Sequence, residues 1–211
     1  LSQGLDLAGG TLNLNQSLSA AYVSINDGTI NRAVATGFTA GDLYVYNTSY
    51  NFDGSDAISN SLTTSDSTIG FDIATTLGSI NANGSTLNVD NLLSTTNLSV
   101  GTNSIVNVNA NLDISSGSFW AYDTTINQNA DIVTQSMQLG GTTTLNRLNG
   151  SLTIGTLTLD NGPALTLGNA DTLSDLQLIG TSSLLFEQSI GSATGLALDN
   201  LWMDGSSTLT I

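Results

Sequence analysis

The residues able to do acid–base, nucleophilic or metal chemistry are few in this 211-residue chain, and nearly all of them are aspartates. The chain carries sixteen aspartates, one glutamate and the two cations Arg32 and Arg147, with no lysine, histidine or cysteine. These absences exclude a Ser-His-Asp triad, a cysteine nucleophile, and zinc, iron–sulfur or haem sites with their usual ligands. The chemistry left is that of carboxylates, either a pair that cleaves a glycoside or oxygen ligands for calcium.

The positions of the acids favour neither kind of carboxylate site. Asp27, Asp66 and Asp123 occupy equivalent repeat positions, but non-acidic units separate them and no glycine-rich calcium nonapeptide is present. No cluster of acids with flanking bases occurs, and the net charge of −15 opposes binding to nucleic acid. We therefore predict no enzyme and no cofactor or metal site. Weak bridging of neighbouring molecules by divalent cations stays open.

The elements that carry these residues repeat along the whole chain with a spacing of 18 to 25 residues. Each unit opens with a triplet whose first and third residues are mostly apolar, which is the alternation of a strand with one buried face. The triplet ends are Leu5/Leu7, Val23/Ile25, Leu43/Val45, Leu62/Thr64, Ile80/Ala82, Leu98/Val100, Phe119/Ala121, Met137/Leu139, Leu157/Leu159, Leu176/Leu178 and Leu201/Met203.

A corner residue follows each triplet, and it is glycine, asparagine or aspartate in all eleven units. These types tolerate a left-handed backbone, so the column predicts a repeated sharp turn. The corner residues are Gly9, Asp27, Asn47, Asp66, Gly84, Asn103, Asp123, Gly141, Asn161, Gly180 and Gly205. A second apolar pair comes next, and in three units one of its residues is polar: Ile30/Arg32, Ile126/Gln128 and Leu145/Arg147. A third, looser apolar site, such as Leu112 or Ile190, closes the unit.

Units of this length are too short for propeller blades and suit the coils of a β-solenoid. We predict an all-β, right-handed parallel β-helix that forms one domain over residues 1–211, with about eleven coils of about 19 residues and three short strands per coil. The expected rod is about 50 Å long, because stacked coils are about 4.8 Å apart.

Units such as TLNLNQSL, STLNVDNLL and LTLDNGPALTL resemble those of bacterial autotransporter passenger domains and filamentous-haemagglutinin-like surface proteins. The resemblance covers the whole chain and implies a parallel β-helix at the surface of a bacterium. Together with the lack of cysteine, it leads us to expect an extracellular or cell-surface location. No apolar run is long enough for a membrane helix, so we expect no membrane insertion by this segment.

The middle position of the second strand faces outward and is asparagine in seven of eleven units, with serine or threonine two residues earlier in nine. This surface, the asparagine face, predicts either amides hydrogen-bonded along the axis or an ordered water-binding array like that of ice-binding β-solenoids. Its proposed contact residues are Thr11, Asn13, Thr29, Asn31, Asn51, Thr86, Asn88, Asn107, Thr125, Asn127, Thr144 and Asn146.

We predict a structural subunit of a secreted surface fibre, whose main partner is a second copy of the chain joined head to tail. The first alternative is the stalk or binding segment of an adhesin that contacts glycans or other surface proteins, and the second is ice binding through the asparagine face. The proposed end contacts are Leu5, Leu7, Leu12, Leu14, Leu209 and Ile211.

Overall fold

The computed structural model describes residues 3–33, 36–53, 56–168, 170–187 and 198–211, and its described residues form strands and turns without a helix. The strands stack in parallel as the coils of a β-solenoid, which confirms the predicted fold class. The solenoid has about nine turns, slightly fewer than the eleven coils expected. Residues 188–197, with the predicted site Ile190, lie outside the described residues. The right-handed sense stays a prediction.

One sheet runs the whole length of the rod and is built from the first strand of every coil. We call it the long-strand sheet. Its strands, in spatial order, are β1 (Leu5–Ala8), β4 (Tyr22–Asn26), β6 (Phe38–Tyr46), β8 (Ala57–Ser65), β10 (Thr75–Asn83), β12 (Leu93–Val100), β14 (Leu112–Tyr122), β16 (Ile132–Gly140), β18 (Leu152–Asp160), β20 (Thr172–Ile179) and β22 (Asn200–Met203). The two-residue strand β3 (Leu18–Ser19) pairs with β6 beside this path.

The second strand of each coil is shorter, and these strands form three separate sheets. The first sheet holds β2 (Thr11–Leu14) and β5 (Thr29–Arg32). The second holds β7 (Ser49–Phe52), β9 (Thr68–Phe71), β11 (Thr86–Val89), β13 (Ile105–Val108), β15 (Thr125–Gln128) and β17 (Thr144–Arg147). The third holds β19 (Ala164–Leu167), β21 (Ser183–Phe186) and β23 (Thr208–Thr210). The outer side of these sheets is the asparagine face.

The register of the long-strand sheet confirms every step of the triplet column. Leu5 pairs with Val23 at one end and Leu176 pairs with Leu201 at the other. Between them the inward side chains are almost all fully buried and form one continuous core. A slip of one residue would move each of these side chains from the core to the solvent-facing side of the sheet. The alternation of apolar and polar residues therefore fixes the register.

The three short strands expected per coil are two in the structure, because the third apolar site is continuous with the next triplet. Ile132 and Met137, for example, both lie buried in the single strand β16. The strand turns a corner between them, since the alternation of buried and exposed residues changes phase after Thr134. Coils after the first therefore have three inner faces but two hydrogen-bonded strands, whereas in the first coil the third site keeps its own short strand, β3.

Glycine occupies this corner on alternate coils, at Gly41, Gly78, Gly117 and Gly155. A Cβ built on any of them would lie less than 3.0 Å from the backbone oxygen of the preceding coil. The coils between them carry Asn60, Thr96 and Gln135 at the corner. Glycine and residues with a side chain therefore alternate along this edge from β6 to β18.

The other predicted corner is confirmed in full. All eleven residues of the corner column have a positive φ, between 51° at Asp123 and 73° at Gly9. An asparagine or aspartate side chain here often fills the space above a glycine of the next coil: a Cβ on Gly84 would lie 2.5 Å from Asp66 Oδ1. The residue type at this corner is thus restricted both by the positive φ angle and by the side chain of the neighbouring coil.

Candidate functional site: the asparagine face and the ends of the rod

The asparagine face has a ladder of side-chain amides at its centre. Asn88, Asn107, Asn127 and Asn146 lie in register on neighbouring strands. In each step the later residue donates from Nδ2 to Oδ1 of the earlier one, over 2.8, 2.8 and 2.9 Å. The structure therefore favours the first of the two interpretations of this column, a ladder that links coils along the axis.

The ladder is shorter than the column of asparagines in the sequence. Asn13 and Asn31 form a separate pair, with Nδ2 of Asn31 donating to Oδ1 of Asn13 over 3.1 Å. Asn51 sits beside Gly70, where a Cβ would collide with Asn51 Oδ1, so its amide fills the space left by the missing side chain. The predicted threonine neighbours Thr11, Thr29, Thr86, Thr125 and Thr144 point outward as expected, half-buried or exposed.

The asparagine face breaks at two places, directly after β5 and directly after β17. Both strands end in arginine, at Arg32 and Arg147, and both arginines occupy the position that other coils fill with an inward apolar residue. Ile30 and Tyr50 are therefore not paired across the first break, nor are Leu145 and Leu165 across the second. A guanidinium at an inward position needs polar partners, and reaching them separates the two neighbouring strands.

Arg147 finds its main partner in Asp171, whose side chain is 2% exposed. Arg147 Nη2 donates to Asp171 Oδ1 over 2.7 Å, and Nη1 pairs with Oδ2 of the same carboxylate. Asp171 also accepts the backbone N–H groups of Leu152 and Gly168, each over 2.7 Å. Arg147 Nε donates to Oε1 of Gln128, which is fully buried one coil earlier. The result is a bidentate ion pair between a partly exposed arginine and a buried carboxylate, within a hydrogen-bonded network.

Arg32 repeats the arrangement at the other break. Its Nη1 donates to Asp56 Oδ2 over 2.8 Å and to Asp53 Oδ1 over 3.0 Å, and the Asp56 side chain is 1% exposed. The guanidinium also lies 4.6 Å from the ring centroid of Tyr50. Burial lowers the pKa of Arg32, but Tyr50 and the two carboxylates outweigh that effect and raise it. Burial raises the pKa of Tyr50 well above its usual value.

Sequence reasoning missed the partners of both arginines, although a signal was present. Each arginine is followed 24 residues later by its buried aspartate, Asp56 or Asp171. That spacing, together with an arginine at an inward position, identifies the pair. No group of three or more possible metal-binding side chains occurs in the parts of the chain that the structure describes.

The last coil differs from the interior in its exposure. Leu201 and Met203 are 48% and 39% exposed, whereas Leu176 and Leu178, their neighbours one coil earlier, are 1% and 0% exposed. Ile211 is 80% exposed and Leu209 is partly buried. At the opposite end, Leu5, Leu7 and Leu12 are only partly buried, and Leu14 is buried. The inward apolar columns are thus open at both ends of the described rod.

No family model matches the chain, and neither the curated proteins nor the solved structures include one that matches it significantly. The part of the predicted resemblance that is confirmed is the parallel β-solenoid of a repeat protein. Within the described ranges, no helix is both long enough and apolar enough to span a membrane.

Proposed function

We propose that the chain is a structural rod subunit that assembles end to end, with the last coil of one copy pairing with the first coil of the next. The observation that carries the proposal is the exposure of Leu201 and Met203, whose equivalents are buried in the interior coils. Exposed core columns beside an open parallel strand edge form a template for a further strand.

The two ends suit each other in chemistry as well as in shape. Continuing the register of the long-strand sheet across a junction places Leu5 opposite Leu201 and Leu7 opposite Met203. On the second strand, Leu12 faces Leu209 and Leu14 faces Ile211. Each pair joins two aliphatic side chains, so the junction buries apolar surface in the same way as an interior coil.

The asparagine face supports the same direction of growth. In the ladder each Nδ2 donates to the coil before it, and Asn13 stands at the first position of this column. Across a junction its amide meets Thr210, whose hydroxyl can accept a hydrogen bond. The relation between copies is head to tail, which gives an open filament instead of a closed ring when no rotation closes it.

The proposal includes a location at the surface of a bacterium. Its support is chemical: a chain without lysine and with two arginines offers trypsin-like proteases very few sites, and a chain without cysteine has no thiol to oxidise. The alternatives of an adhesin segment and of an ice-binding surface stay predictions. Ice binding predicts thermal hysteresis and faceted crystals, which a fibre subunit does not.

The test is electron microscopy and sedimentation of the purified chain over a concentration series, with Leu201→Asp as the variant. We expect long uniform fibres from the parent chain and separate rods about 50 Å long from the variant. A carboxylate at the junction would be buried without a partner, which is costly in the fibre but not in the free rod.

Leu148→Asp is the matched control, because Leu148 is 72% exposed on the side of the rod, away from either end. It makes the same chemical change and should leave the fibres intact. Separate rods from the parent chain at every concentration would refute the proposal. Fibres that survive Leu201→Asp would refute this junction.

A further inference from the structure

A groove on the outer side of the long-strand sheet has features that the asparagine face lacks. It spans strands β8, β10 and β12 and has a volume of about 290 Å³. Two outward columns form its floor: Thr63, Asn81 and Ser99 in one, and Ser65, Asn83 and Gly101 in the other. The next residue of the first column is Trp120 on β14, so the indole stands as a wall beside the small residues Ser99 and Gly101.

Trp120 is held in place while remaining accessible. Its ring is nearly parallel to that of Tyr122, with an interplanar angle of 13° and centroids 6.0 Å apart. Tyr122 in turn packs over Gly140, where a Cβ would lie 2.6 Å from its ring. Trp120 and Tyr122 are 38% and 40% exposed. A fixed, exposed aromatic wall offers a π face to the C–H groups of a ligand at little entropic cost.

Four of the five polar side chains of the floor are free to bind a ligand, since only Ser65 is engaged, donating from Oγ to Asp66 Oδ2. Within the described part of the chain, the side chains of Thr63, Asn81, Asn83 and Ser99 make no hydrogen bond to protein, whereas Asn107 in the ladder both donates and accepts. Asn81 and Asn83 therefore each present a full set of amide donors and acceptors. None of the residues that line the groove is charged.

We infer that this groove binds an uncharged sugar ring of a glycan, stacked on Trp120 and hydrogen-bonded by Asn81 and Asn83. Free amides and hydroxyls match the hydroxyl groups of a sugar, and the aromatic wall matches its apolar C–H face. A chain with a net charge of −15 repels an anionic ligand, and the uncharged lining offers no compensating cation. The inference is independent of fibre assembly, since the groove lies in the interior coils.

Binding can be measured with cellohexaose, mannohexaose and the fully N-acetylated chitohexaose as uncharged probes and a galacturonate hexamer as the anionic one. Calorimetry on the parent chain, Trp120→Ala and Trp202→Ala gives the affinities. Trp202 is the matched control, being 49% exposed in the same outward column at the end of the sheet. We expect an uncharged probe to bind the parent chain. Its affinity for Trp120→Ala should be at least about tenfold lower, and its affinity for Trp202→Ala should equal that of the parent.

A second pair of variants tests the amides. Asn81→Ala should weaken binding several-fold, whereas Asn107→Ala should not, because its amide belongs to the ladder on the other face. The inference is wrong if no uncharged probe binds at millimolar concentration, if Trp120→Ala binds as well as the parent, or if the galacturonate binds best. It is also wrong if Trp120 becomes shielded as protein concentration rises without sugar, since a second copy would then occupy the groove.

Discussion

At the scale of single residues, the two arginines have the largest effect on the structure. Arg147 is charged and points inward, yet its carboxylate partner is 2% exposed and shares its oxygens with two backbone N–H groups. Placing two charges inside the solenoid costs solvation free energy, which the bidentate contact and the surrounding hydrogen bonds offset. The neighbouring strands β17 and β19 lose their pairing as a result.

Removing one partner of this pair should be more harmful than removing both charges. Arg147→Leu leaves Asp171 buried and unpaired, and we expect it to lower the free energy of unfolding by about 3 kcal/mol. Adding Asp171→Asn to that variant removes the charge and keeps an acceptor for the N–H of Leu152, while the N–H of Gly168 loses its acceptor, so part of the loss should return. Urea denaturation of the parent and both variants measures the three free energies of unfolding. Equal stability of Arg147→Leu and the parent would show that the ion pair contributes nothing.

At the scale of the strands, the corner in the middle of each long strand limits which side chains fit. Gly78, Gly117 and Gly155 each face a backbone oxygen of the preceding coil at a distance that leaves no room for a Cβ. A backbone atom cannot rotate away as a side chain can. Glycine is needed here for space, whereas at the other corner it serves the positive φ.

Gly117→Ala should therefore destabilise the fold, by about 3 kcal/mol, because its methyl group meets the carbonyl oxygen of Thr96. Gly168→Ala is the matched control, since among the described residues its Cβ would meet nothing closer than Asp171 Oδ2 at 4.0 Å. The midpoints of thermal and urea unfolding should be clearly lower for Gly117→Ala than for Gly168→Ala. If both unfold like the parent, the corner accommodates a side chain and does not need glycine.

The strand pattern was predictable from the sequence to a large extent, because the signals are local and repeated. Alternation around Val23 or Leu98 defines a buried side, and Asp66 or Gly84 marks a corner, without knowledge of any distant residue. The breaks after Arg32 and Arg147 were not predicted, since they depend on partners one coil further along. The groove beside Trp120 was missed because it requires knowing which of the outward amides bond to one another.

At the scale of the whole molecule, the long-strand sheet is continuous while the asparagine face is divided in three. The continuous sheet and the core behind it join all coils, and each arginine ties its own coil to the next one along. The two arginines are also the only sites for trypsin in the chain. Cleavage by trypsin therefore reports directly on whether the rod opens at the two breaks.

We expect the folded chain to resist trypsin and the urea-unfolded chain to be cut into three fragments, ending at Arg32, Arg147 and Ile211. Trypsin needs an extended segment with a free guanidinium, and both guanidinium groups are engaged by buried carboxylates. Mass spectrometry of timed digests identifies the first cut. Rapid cleavage after Arg147 under native conditions would mean that the rod opens at the second break more easily than its contacts suggest.

The alternating glycines affect how aligned rods diffract X-rays and which periodic surfaces can pack against the rod. Successive strands are about 4.8 Å apart, so an edge on which glycine recurs on every second coil repeats this residue about every 9.6 Å. Aligned rods should therefore give a weak half-order layer line in fibre diffraction beneath the strong cross-strand reflection. A crystalline surface or polymer that matches the edge with the corner glycines has to be commensurate with the doubled period.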